Sequence, residues 1–164
     1  MLSPADIVRF GKLGVIAAMQ PTHATSDMPW AGSRLGATRL EGAYAWRSLL
    51  DTGAVLAFGS DFPVESVDPL AGVYAAVTRR DASGEPAGGW LPGQCLGSGE
   101  AVRAFTWGAA FSAFDEGDAG AIVVGRRGDL TVLDRDITTS SPAEILRAGV
   151  LYTVVRGAVV YEAR

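Results

Sequence analysis

The apolar positions of this chain change their rhythm about two thirds of the way along. Up to residue 116, short runs that are apolar at nearly every position, VIAAMQ (15–20) and AVLAFGS (54–60), alternate with longer stretches of helical spacing. Ser3-Pro4-Ala5-Asp6 offers an N-cap, a proline at the first helical position and an acidic residue in the first turn. It predicts a helix to about Leu13, stopped by Gly14. The stretch LEGAYAWRSLLDTG (40–53) has Tyr44, Leu49 and Leu50 near one helical face, with Gly53 as its stop. Asp68-Pro69 opens another helix through Arg80, and Ser98 is placed to cap a third through Phe114. Between these, Pro21–Thr38 and the Gly/Pro-rich 81–99 read as long irregular segments. Two strands buried on both faces and separated by helices imply parallel strands covered by helices, an α/β arrangement.

After Gly117 the pattern becomes that of short strands. GAIVVGRRGDLTVLDRD predicts two strands around Gly125–Gly128, and Ser141-Pro142-Ala143-Glu144 is a capping box opening a short helix. LYTVVRGAVVYEAR predicts a hairpin turning at Arg156-Gly157. The expected division is therefore 1–116, strands and helices, and 117–164, a small β-layer.

Composition narrows the function. A net charge of −4 with no long basic run argues against a nucleic-acid or anionic-membrane surface. Cys95 is the only cysteine, which excludes an internal disulfide and a cysteine-built zinc site. Its surroundings, PGQCLGSG, supply no basic group to activate it. No apolar run is long enough to span a bilayer, and the first residues lack the form of a signal peptide, so a cytoplasmic location is expected. No phosphate-binding glycine motif is present.

The chemistry concentrates at strand ends. Asp61 follows AVLAFGS directly, and His23 follows VIAAMQ; in α/β folds the C-terminal ends of parallel strands are where active sites collect. An Asp there can ligate a metal or accept a proton from a bound water. The alternative is a turn residue that satisfies nearby N–H groups.

Several stretches in fixed order, MQPTHATSDMPW, RLGATRLEGAYAWRSLLDTG, LAFGSDFPVESVDPLAGVYAAVTRRD, GGWLPGQ and GDLTVLDRD…LYTVVRGAVVYE, resemble the metal-dependent amidohydrolases. The similarity is to the amidohydrolase family 3 group that includes N-substituted formamide deformylases. It implies a (β/α)8 TIM barrel with a small composite β-sandwich, a divalent metal, usually zinc, and hydrolysis of non-peptide C–N bonds in small amide-type substrates. VIAAMQ then matches barrel strand seven and AVLAFGS strand eight, and 117–164 the C-terminal share of the sandwich. Asp61 takes the place of the strand-eight aspartate that ligates metal and shuttles a proton. His23 would contact substrate or transition state, and Trp30 and Arg34 would wall the pocket, if their roles are not simply structural.

The same resemblance exposes a gap. The family's metal site needs an H-x-H pair, a carboxylate or carboxylated lysine, and two further histidines, whereas this chain has one histidine and one lysine, Lys12. A complete barrel of this type takes about 250 residues. The chain is thus expected to hold the last two strands and part of the sandwich, with Met1 falling shortly after strand six. Metal binding by the chain alone is expected to be weak or absent, and catalysis with it. Two further expectations follow: self-association, or pairing with a chain that supplies the missing barrel half. The alternative function is a non-catalytic α/β interaction or assembly module.

Overall fold

Local sequence sets the element ends. The computed structural model of the chain describes residues 1–164, and begins with helix α1, Pro4–Leu13, capped by the Ser3 hydroxyl, which accepts from the Asp6 N–H. Gly14, at φ 64°, closes it in the left-handed region that glycine enters without penalty. Strand β1, Ala17–Met19, follows. Three helices, α2 (Pro21–Leu35), α3 (Ala37–Leu40) and α4 (Trp46–Asp51), lead to β2, Leu56–Phe58. β1 and β2 pair in parallel, with Ala17 opposite Leu56 and Met19 opposite Phe58. They form a sheet of two strands, so each keeps one open edge.

Helix α5 (Pro69–Thr78) is capped by the Asp68 carboxylate accepting from the Leu70 N–H. A further helical stretch runs as α6 (Ser98–Arg103), a π-turn (Ala104–Gly108) and α7 (Ala109–Ser112). It lies so close to β2 that a Cβ on Gly108 would stand 2.0 Å from the Leu56 carbonyl oxygen, so only glycine fits there. Behind the strands, Trp46, Leu49, Phe58, Val73 and Ile145 join one core cluster. The Arg47 guanidinium grips both Glu100 carboxylate oxygens and ties α4 to α6.

The tail is an antiparallel sheet of β3 (Leu130–Leu133), β4 (Val150–Val155) and β5 (Ala158–Glu162), in that order. Before β4 comes the short helix α8, Pro142–Ile145, whose Ile145 is fully buried in the main core and carries the tail onto α5. Arg127 braces the connection through Asp115 at 2.6 Å and Asp129 at 3.1 Å.

Four sequence expectations are corrected. Pro21–Leu35 is a continuous helix rather than an irregular segment, because Pro21 occupies the first turn and the ladder runs past Pro29. Residues 40–52 do not form one helix: Tyr44 adopts φ 50°, which separates α3 from α4. The cap of α6 is Gly97, whose N–H donates to Glu100 Oε2 at 2.7 Å, not Ser98. Only one strand forms between 120 and 136, since Gly120 and Gly125 both take positive φ and break extended backbone on either side of Ala121–Val124. The other predicted strands, and the helix starts after Ser3, Asp68 and Ser141, stand where the pattern put them.

Much apolar surface stays open. The accessible area is 9204 Å², whereas a folded monomer of this mass shows about 7,700 Å². Val8, Leu13, Val159, Val160 and Tyr161 are among the exposed apolar side chains. An apolar cavity of about 650 Å³ lies between α5, α6 and the β3 sheet.

If Ile145 anchors the tail, Ile145→Ala should cost roughly 2–5 kcal/mol in denaturant unfolding. An unchanged midpoint would show that the tail does not depend on this contact.

Candidate functional site

Parallel pairing carries both strand ends to one side of the sheet. Past Met19 the chain enters α2, and His23 sits in its first turn, its N–H donating to the Gln20 carbonyl at 3.2 Å. Past Phe58, the Gly59 N–H donates to the Met19 carbonyl at 3.3 Å and extends the pairing to the site itself. The chain then turns sharply: Ser60 Oγ accepts from the Phe62 N–H, and the Asp61 carbonyl accepts from the Val64 N–H at 2.8 Å. Asp61 holds φ 59°, a left-handed conformation that Asp tolerates better than most residues.

His23 Nε2 lies 3.7 Å from Asp61 Oδ2. That is ion-pair range, but too long for a direct hydrogen bond. The imidazole Nε2 is shielded from solvent and makes no hydrogen bond, while the Asp61 side chain is 53% exposed. An acceptor-only carboxylate and an uncommitted imidazole nitrogen therefore face one another at the strand ends, able to share a water, an ion or a substrate atom.

Helix α2 supplies more than His23. Asp27, Trp30 and Arg34 follow at i+4, i+7 and i+11, so the four share one helical face. Trp30 and Arg34 are exposed and stand about 10 and 16 Å further along the axis by helical rise. The structure brings His23 and Asp61 together, but not Trp30 or Arg34 with them.

Two residues outside the sequence expectations join this face. Asp27 accepts a hydrogen bond from the Tyr44 hydroxyl. Burial, and then the bond to Asp27, push the Tyr44 phenol well above its ordinary pKa. The Tyr44 carbonyl accepts from Nη1 of the buried Arg79 at 2.9 Å. The Arg79 guanidinium lies over the Trp46 ring at 4.3 Å and the Trp90 ring at 5.0 Å, and Nε donates to the Trp90 carbonyl at 2.7 Å. Burial lowers its pKa to about 10. The helical spacing of His23, Asp27, Trp30 and Arg34 was a visible signal for Asp27; nothing local marks Tyr44. Burial raises the Cys95 thiol, so it is not activated.

The amidohydrolase family model matches residues 1–161. The chain belongs to the amidohydrolase family. It is 35% identical over 156 residues to YtcJ of Bacillus subtilis (strain 168), which carries the name amidohydrolase, covering 95% of this chain and 30% of that protein. It is 33% identical over 116 residues to N-substituted formamide deformylase of Arthrobacter pascens, covering 71% of this chain and 21% of that protein. The fold matches that of a metal-dependent hydrolase from Pyrococcus horikoshii OT3 with a TM-score of 0.75 and 27% identity, over 87% of this chain and 29% of that one. The chain thus spans less than a third of the length of each of these proteins. No helix in it is long and apolar enough to cross a membrane.

Family membership supports a divalent metal, and the residues present can be weighed against one. Asp61 and His23 are suitable donors, but no group of three or more His, Cys, Asp or Glu side chains is arranged to hold an ion. Two donors fall short of the three or four protein ligands of a zinc site. The residues present fit a share of such a site, not the whole.

Because the Asp61 side chain is largely free of structural bonds, Asp61→Asn should change folding stability by less than about 0.5 kcal/mol. A much larger loss in thermal unfolding would give Asp61 a structural role instead.

Proposed function

We propose that this chain is the C-terminal share of a metal-dependent amidohydrolase that hydrolyses non-peptide C–N bonds in small amide-type substrates. Residues 1–116 supply barrel strands seven and eight with their helices, and 117–164 the C-terminal strands of the composite sandwich. The observation that carries this reading is the meeting of Asp61 and His23 at the C-terminal ends of two neighbouring parallel strands, where barrel enzymes build their sites. The family match, the unpaired edges of the β1–β2 sheet and the apolar side chains exposed on α1 and the β3–β5 sheet support it.

In the completed enzyme Asp61 would supply one ligand to a divalent metal, zinc by the family's habit, which when bound would lower the pKa of water and polarise the scissile carbonyl. Asp61 Oδ2 takes the proton from the attacking water and returns it to the leaving nitrogen. It suits this work because it is exposed, acceptor-only and fixed by the 60–64 turn. His23, whose Nε2 is uncommitted, steadies the substrate or the developing charge beside Asp61. Trp30 and Arg34, further along the same face of α2, wall the substrate's far end.

The test combines the chain with a polypeptide that supplies the remaining barrel strands, whether encoded upstream in the same frame or separately. N-substituted formamides and cyclic amides are then assayed for C–N cleavage. Hydrolysis that is lost on chelation and restored by Zn²⁺ is expected. Absence of hydrolysis across that panel, or a rate indifferent to chelation, would contradict the proposal.

A further inference from the structure

Helix α2 packs along α5, but it does so through small side chains that leave its register loosely keyed. Its buried residues, Pro21, Ala24 and Ala31, are all small, and Gln20 gives it no side-chain cap. Pro29 further removes one N–H from its ladder. Yet catalytic geometry tolerates only a fraction of an ångström of play, on the order of 0.5 Å. One side-chain-to-side-chain hydrogen bond leaves this helix, from the Tyr44 hydroxyl to Asp27 Oδ2. Asp27 stands a single turn beyond His23 on the same face.

The far end of that bond is rigid. Tyr44 packs its ring against Trp46 and Trp90, with centroids 6.4 and 5.9 Å away. Its carbonyl is held by Arg79, which is 1% exposed and lies against the rings of the same two tryptophans. The bond therefore runs from the packed core to a helix held otherwise by small side chains, and it meets that helix one turn from the residue facing Asp61. With its pKa raised by burial, the phenol remains a donor at any working pH.

We infer that Asp27 and Tyr44 are positioning residues, which fix the first turns of α2 and so set His23 against Asp61 without touching the reacting atoms. The inference rests on the reading that His23 and Asp61 face the reacting centre, but its test does not need catalysis. His23 is the only histidine, so the imidazole Cε1–Hε1 NMR signal of the chain reports that residue alone.

Tyr44→Phe removes only the hydroxyl. It should move the His23 signal, and the further change that Asp61→Asn causes in the native background should be largely lost. Asp27→Asn keeps an acceptor oxygen and should stay near the native signal, whereas Asp27→Ala should not. Ser141→Ala, on the tail, weakens folding without reaching α2 and should leave the signal in place. A native His23 signal in Tyr44→Phe or Asp27→Ala, with the Asp61→Asn response intact, overturns the inference. If Tyr44→Phe does not fold, the contrast between Asp27→Asn and Asp27→Ala decides: identical native signals overturn it, and a shift in the alanine variant alone supports it. An inactive assembled enzyme whose His23 signal still depends on Tyr44 counts against the catalytic reading and in favour of this one.

Discussion

The parallel pairing of Ala17–Met19 with Leu56–Phe58 is the constraint on which the site depends. Three residues on each side, extended by the Gly59 to Met19 hydrogen bond, bring two strand ends together from positions nearly forty residues apart. Each strand is then followed by a different device. After β1 a helix begins within two residues, which lifts His23 from its first turn; after β2 a tight left-handed turn holds Asp61 in place. The chemistry of the pair follows from this contrast, a shielded imidazole nitrogen on a helix facing an exposed carboxylate on a turn.

A second constraint stands behind the first. Arg79 is the one charged side chain counted among the buried residues, and burying a cation is costly unless it is well partnered. Its partners are two carbonyl oxygens and two indole faces, drawn from Tyr44 and Trp46 where α4 begins and from Trp90 in the loop after α5. The guanidinium thus fastens the start of α4 and the loop holding Trp90 to the end of α5, and Tyr44 passes that rigidity on to α2. A lysine could not replace it, since an ammonium offers neither the planar fork nor the stacking surface.

The sequence made some of this legible and hid the rest for identifiable reasons. Strand ends, caps at Ser3, Asp68 and Ser141, and the Arg156-Gly157 turn are local signals, and the structure repeats them. Asp61 and His23 were readable because both follow apolar runs. Helix α2 was obscured by Pro29 and Gly32, which local rules treat as breakers, although its His-Asp-Trp-Arg spacing is helical throughout. Tyr44 was beyond local reasoning: its partners Asp27 and Arg79 lie 17 and 35 residues away, and its left-handed backbone carries no local sequence signal. Ala121–Val124 looked like a strand because apolar β-branched residues suit one, but a strand also needs a partner, and none pairs with it.

The open edges, the exposed apolar side chains and the match to less than a third of each relative reported above fit one picture, in which this chain contributes strand ends to a site that other strands complete. The most direct measurement of that account is the steady-state kinetics of the assembled enzyme with Asp61→Asn. A fall in kcat of about 10²–10⁴-fold, with KM little changed, is predicted for loss of a proton-transferring carboxylate. A kcat equal to that of the native enzyme would contradict it, and would leave Asp61 as no more than the residue that turns the chain at the end of β2.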